Sequence, residues 1–204
     1  MNGGYLRYLL PAAALAACLA GCSKKPDETV QASQLPAMKP ASAHATTATA
    51  GVGGLKFTAP SDWVSEQPTS SMRQAQYRLT KAQGDPEDAE VVVYYFQGGG
   101  GGVQANIDRW IGQFTKADGS PATDAAKTSK REVHGIPLTV VDVSGTYAAG
   151  MGPMMQETKS KPNFRMLAAV AEAPSGPWFI KFTGPAKTVA KWEPSFQNFL
   201  DTIQ

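Results

Sequence analysis

Apolar and polar residues follow different rhythms in different parts of this chain, and each rhythm predicts an element. Residues 8–19 are apolar apart from Pro11 and rich in Ala and Leu. At about 12 residues, or roughly 18 Å of helix, that run is too short for a bilayer core of about 30 Å. Residues 23–54 hold Ala, Thr, Ser, Pro and Lys with almost no large apolar side chains and no periodicity. Such a stretch cannot bury enough surface to offset its ordering entropy, so it predicts a disordered tether.

The pattern changes at Leu55. Residues 55–58 alternate up to Pro60 and predict a short strand, with Trp63 as a core anchor. Over residues 73–80, Ala75, Tyr77 and Leu79 alternate with Gln74, Gln76 and Arg78, a strand with one dry face. Turn chemistry at residues 84–88 leads into residues 89–96, where Val91, Val93 and Tyr95 point one way and Val92, Tyr94 and Phe96 the other. Both faces are apolar, which predicts a strand covered on both sides.

Five glycines, Gly98 to Gly102, precede Val103, Ile107, Trp110, Ile111 and Phe114 at helical spacing, with Gln104, Asp108, Arg109 and Gln113 opposite. After a polar connection over residues 116–129, residues 130–134 and 137–147 predict a hairpin around Gly135-Ile136. Residues 148–163, rich in Gly, Pro and Met, predict a long loop. A second hairpin follows over residues 164–173 and 178–183, its alanines Ala168, Ala169, Ala171 and Ala173 leaving room for a helix. Residues 186–203 predict a closing helix with Val189, Trp192, Phe196, Phe199, Leu200 and Ile203 on its apolar stripe. Pro194 inside it predicts a kink or a fresh start at Glu193.

The order β-β-β-α-β-β-β-β-α gives an α+β class: a mostly antiparallel sheet covered by helices on both faces, in one domain over residues 55–204. This arrangement resembles the Mog1/PsbP-like α/β/α sandwich, also seen in DcrB-type envelope lipoproteins. Residues 89–96, 106–114, 141–147 and 178–185 are similar to segments of an uncharacterised family of bacterial exported proteins. That resemblance implies no catalytic residue. The sandwich fold it suggests serves mostly binding or assembly, although fold alone does not transfer function.

The start of the chain supplies an address. A short segment with one positive charge, Arg7, precedes the apolar run, and Leu19-Ala20-Gly21-Cys22 closes it. The tetrapeptide resembles the lipobox of bacterial lipoproteins. The resemblance implies a signal peptide over residues 1–21, and Cys22 as the lipidated first residue of the mature protein. The lipidated Cys and its tether then span residues 22–54. Ser23 stands where the family's inner-membrane retention signal has an Asp, so in a cell with two membranes the resemblance favours the outer one, facing the periplasm. The acyl chains on Cys22 suffice for stable attachment, at about 0.8 kcal/mol per buried methylene.

Composition narrows the function. The chain has 19 basic and 17 acidic side chains. With Arg7 in the leader, the remainder is nearly neutral, without the clustered basic excess of a nucleic-acid binder. Cys18 falls within the leader and Cys22 carries lipid, so no disulfide is expected.

Candidate chemistry is sparse. The glycine run fails as a phosphate cradle, because Val103 stands where the third spaced glycine belongs and no Gly-Lys-Ser/Thr follows; a connector is expected. His134 is the one histidine of the domain, on a hairpin strand, so no metal site is expected. Met151, Met154, Met155 and Met166 could offer thioethers to a soft metal, but a loop packed over the sheet fits them better. Ser70-Ser71 has no partner and no nucleophile elbow. Asp142 interrupts an apolar strand and is expected to pair with Arg or Lys or to lie on a polar face.

No cofactor, metal or catalytic residue is therefore expected. The expectation is an envelope lipoprotein acting non-enzymatically through protein binding or assembly. Its candidate partner surface is the loop bearing Met151, Met154 and Met155, whose side chains adapt to varied contacts. A carrier with a small-ligand crevice between sheet and helix is the alternative, and an envelope hydrolase a distant third.

Overall fold

The computed structural model describes residues 54–96, 100–148 and 160–204. Strands β1 (Val64–Glu66), β2 (Arg73–Leu79) and β3 (Ala89–Tyr95) lead to helix α1 (Val103–Ile111). Strands β4 (Phe114–Thr115), β5 (Lys127–Val133), β6 (Ile136–Tyr147), β7 (Lys161–Ala173) and β8 (Gly176–Pro185) then lead to helix α2 (Ala186–Asp201). They form one sheet in the order β1-β2-β3-β8-β7-β6-β4, with β5 also paired to β6. Every pairing is antiparallel. The α+β class follows directly.

Alternation along the central strands divides the core. On β7, Phe164, Met166, Ala168 and Val170 join one buried cluster, whereas Leu167, Ala169 and Ala171 join another. The first cluster takes Ile107, Trp110 and Ile111 from α1; the second takes Val189, Phe196, Phe199, Leu200 and Ile203 from the C-terminal segment. Fully burying one such side chain contributes about 1.5–3 kcal/mol, so the apolar stripes are what hold the helices in place. β3 is apolar on both faces as expected, with Val91 and Val93 in the second cluster and Tyr94 packed against the first.

Local expectations change at several places. β1 lies in no expected strand, β5 starts at Lys127 inside the expected polar connection, and its hairpin turns at His134-Gly135, so His134 is not on a strand. Leu55 and Phe57 are buried, but residues 55–58 are no sheet strand: Lys56 N–H donates to Gln204 O (2.8 Å) and Gln204 N–H to Lys56 O (3.0 Å). The segment is clamped to the end of the chain after α2 instead. Helix α1 stops at Ile111 because Gly112 caps it, and Phe114 turns into β4 opposite Tyr147 while staying buried. Strand β7 begins at Lys161, inside the expected loop. Of the two readings of Pro194 the fresh start at Glu193 falls, since helix α2 runs as one element with Pro194 inside it.

The end of the glycine run has a defined conformation. Gly100, Gly101 and Gly102 all have φ between 58° and 91°, a left-handed path that only glycine follows freely. A Cβ on Gly100 would also sit 2.8 Å from the Phe96 ring. Buried Asn106 fastens this turn to α1, its amide donating to the carbonyls of Gly100 (2.8 Å) and Gly102 (2.7 Å).

Candidate functional site

Cys22, Met151, Met154 and Met155 lie outside the described residues, as do Gly98 and Gly99. Met166 is fully buried beneath α1. Ser70 and Ser71 are exposed between β1 and β2. His134 turns back onto the chain end, its Nδ1 bonded to Ile203 O (2.8 Å); a carbonyl only accepts, so Nδ1 carries the proton. Asp142 is paired with Arg165, whose Nε and Nη2 reach its two oxygens at 2.8 Å, while Arg165 Nη1 also holds Glu193 on α2 (2.7 Å). Among the described residues, Met166, Ser70, Ser71, His134 and Asp142 do not come together in one site. Among the described residues no group of three or more His, Cys, Asp or Glu could hold a metal ion, and no helix is long and apolar enough to cross a membrane.

Side chains do converge where α1 crosses the β3–β8 boundary. The pairing of β3 with β8 puts Tyr94 opposite Phe179 and Val92 opposite Lys181. Side chains of one parity on these strands face α1, so Tyr94, Phe96, Phe179 and Lys181 share that face. Helix α1 adds Trp110 and Arg109, and Gln113 follows its cap. Together they enclose a crevice of about 210 Å³. Its walls are aromatic: Phe179 meets Trp110 edge-on at 6.0 Å and Phe96 at 5.6 Å, and Tyr94 stacks on Phe96 at 6.0 Å.

Its polar groups are two cations and an amide. Lys181 Nζ donates to Gln113 Oε1 (2.7 Å) and to the Tyr147 hydroxyl (3.2 Å), and lies over the Tyr147 ring. An ammonium has three donors, so one remains. Arg109 donates through Nη2 to Asn106 Oδ1, which leaves most of its fork unused. Arg73, Arg78, Arg131 and Arg165 each pair with carboxylates; among the described arginines Arg109 alone does not. Lys181 likewise has no acid partner among the described residues.

Burial in the crevice pushes the Lys181 ammonium down to about 8, the charges of Arg109 and Arg73 adding to the effect and Glu90 opposing it. Burial pushes the Tyr147 hydroxyl up to about 12 and raises Tyr94 as well.

The chain matches no family model and no curated protein. It is similar to solved structures. One is a Pseudomonas aeruginosa protein of unknown function, 12% identical, with a TM-score of 0.41 over 62% of this chain and 78% of that one. Another is the cyanobacterial PsbP (CyanoP) of Synechocystis, 10% identical, with a TM-score of 0.47 over 79% of this chain and 92% of that one.

A larger groove of about 700 Å³ lies between residues 84–87, 160–164 and 185–187. Three of its four charged side chains are committed: Lys161 pairs with Glu87, and Asp85 accepts from the Thr188 N–H (2.8 Å) and hydroxyl (2.6 Å), satisfying the start of α2, which leaves Lys187. The smaller crevice brings two such cations together against aromatic walls and has the stronger claim to a ligand.

Sequence reasoning had placed Arg109 and Gln113 on the polar side of a helix and passed over Lys181. The available signal was the one that marked Asp142: a lone charge in an apolar run, here Trp178 to Phe182.

The Lys181 environment gives stability a definite pH dependence. An unfolded lysine titrates near 10.4, so between about pH 8 and 10 the unfolded chain binds the extra proton and stability rises with pH. Above about pH 10 the sign reverses, because Tyr77 and Tyr147 keep their protons to about 12 when folded but lose them earlier when unfolded. Denaturant midpoints should climb from pH 7.5 to pH 9 in the parent and stay level over that range in Lys181→Met. A flat profile in the parent would refute the assignment.

Proposed function

We propose that this chain is a membrane-anchored lipoprotein of the bacterial envelope. Its α+β domain works by binding rather than catalysis, and it takes a small ligand in the crevice beside Lys181. The observation that carries the binding role is the meeting, in an aromatic crevice between sheet and helix, of two cations that have no carboxylate partner among the described residues. Small-ligand capture takes precedence over assembly through the Met151–Met155 loop, because the crevice joins convergent polar groups to apolar walls, the usual makeup of a ligand site. We read the domain as a Mog1/PsbP-like α/β/α sandwich; the division of its core, with α1 in one cluster and α2 in the other, supports this.

Attachment rests on the Leu19-Ala20-Gly21-Cys22 lipobox, and residues 23–54 act as the tether. Ser23 favours the outer membrane, with the domain facing the periplasm. Labelled palmitate should be incorporated by the parent and not by Cys22→Ala; incorporation that survives the substitution would remove the anchor. Binding is read from the thermal midpoint across a set of small molecules. Compounds that raise the parent's midpoint but not that of Lys181→Met support ligand capture, and compounds that move both equally oppose it.

A further inference from the structure

The geometry points to a ligand class for the crevice: a small organic carboxylate with a flat apolar body, its oxygens held by Lys181 and Arg109 and its body against Trp110 and Phe179. This rests on the crevice being a ligand site, and adds which ligands it selects.

Charge sets the sign. The crevice has two cationic side chains and, among the described residues, no carboxylate in its lining. The nearby acid Glu90 is held by Arg73 at 2.8 Å. An incoming anion would meet the unused third donor of Lys181 and the open fork of Arg109, which suits a planar two-oxygen group. Asp142 shows the contrast: it too interrupts an apolar strand, but the protein supplies its counter-charge through Arg165. For Lys181 and Arg109 the described residues supply no counter-charge, and a ligand can bring it.

Shape sets the body. Tyr94, Phe96, Trp110 and Phe179 line the same space. An inorganic anion would leave those rings uncovered, whereas a flat apolar group covers them. The volume of about 210 Å³ equals that of about seven waters at roughly 30 Å³ each, which one ring with a short acid arm displaces.

Protonation then couples to binding. The groups around Lys181 are Arg109 from α1, Tyr94 and Glu90 from β3, Arg73 from β2 and Tyr147 from β6; β7 places Ala168 beside it. Of these, Lys181 is the group that changes charge near pH 8. A bound carboxylate favours its ammonium, so above that pH binding must take up a proton and affinity falls by about tenfold per pH unit.

The test uses the full domain with its tether and calorimetric titration of phenylacetate, phenylacetamide and inorganic phosphate at pH 7 and pH 9.5. Phenylacetate should bind at pH 7 at least about tenfold more tightly than its neutral amide, as a charge-assisted hydrogen bond requires, and also more tightly than phosphate. It should weaken by about tenfold or more at pH 9.5. Lys181→Gln, checked for an unchanged fold by circular dichroism, should lose about tenfold at pH 7 and all of the pH dependence; Arg109→Gln should lose less, Arg109 being an exposed residue. Equal binding of acid and amide, independent of pH, would overturn the carboxylate assignment and leave the ligand site standing. Tighter binding of phosphate would overturn it in favour of an inorganic anion. If none of the three probes binds, the assignment and the ligand site both fall.

Discussion

Removing Thr202, Ile203 and Gln204 is expected to lower the unfolding free energy by about 5–8 kcal/mol, a large share of what a domain of this size holds. Ile203 is fully buried in the cluster that holds α2, and losing such a side chain costs about 2–5 kcal/mol. Gln204 and Lys56 exchange two backbone hydrogen bonds, and the Thr202 hydroxyl accepts from Thr58 N–H at 2.9 Å. Each such bond contributes about 1 kcal/mol net. The same cut frees residues 55–58, so Leu55 and Phe57 lose their cover. Chemical denaturation of the truncated and parent chains reads the difference. A loss below about 1 kcal/mol would show that the clamp between Lys56 and Gln204 does not hold the domain closed.

Phe199→Ala should cost about 3–5 kcal/mol. Phe199 is 1% exposed and sits among four other rings: Trp63 at 5.1 Å, Phe57 at 5.4 Å, Phe196 at 6.4 Å and Tyr77 at 6.5 Å. These neighbours come from the clamped segment, the turn before β1, β2 and α2, so a cavity left there cannot collapse without moving several elements. A second readout belongs to the same cavity. Burial pushes Tyr77 up to about 12, and water admitted by the truncated side chain should bring it back toward the ordinary tyrosine range near 10. A stable variant with an unmoved Tyr77 titration would contradict this packing.

Much of the fold was legible because one strand or helix carries its own evidence. The two apolar faces of residues 89–96 announced a strand buried on both sides, and the stripe of α2 announced its buried face from Val189 to Ile203. What failed was partnership. Residues 55–58 alternate like a strand, yet their partner is Gln204, far along the chain, and nothing in four residues encodes that choice. The period of α1 continued through Phe114, but Gly112 ended the helix and the same buried ring was delivered by β4. Pro194 was read through its missing N–H, a local cost that the packing of α2 on the sheet outweighed.

The candidate site was hidden for the same reason. Lys181, Arg109 and Tyr94 lie in three separate patterns, each of which reads as ordinary: a strand with one polar residue, the wet side of a helix, an aromatic on a buried strand. Only the β3–β8 register brings Tyr94 opposite Phe179 and seats Lys181 beneath α1. Asp142 raised the same question at the level of sequence and has a structural answer in Arg165 and Glu193. Lys181 has Gln113 and the Tyr147 hydroxyl but no charge among the described residues to answer it. That difference, invisible in the residues themselves, separates a structural ion pair from a place that can receive an anion.

The central claim, that the crevice beside Lys181 receives a ligand, is tested most directly by mapping where small molecules land. Two-dimensional NMR spectra recorded with a fragment mixture should show shifts gathered on the Trp110 indole, Tyr94, Phe179 and Lys181, and those shifts should vanish in Lys181→Met. Shifts confined to the groove at residues 84–87 and 160–164, or shifts at the crevice that persist unchanged in the variant, would contradict it.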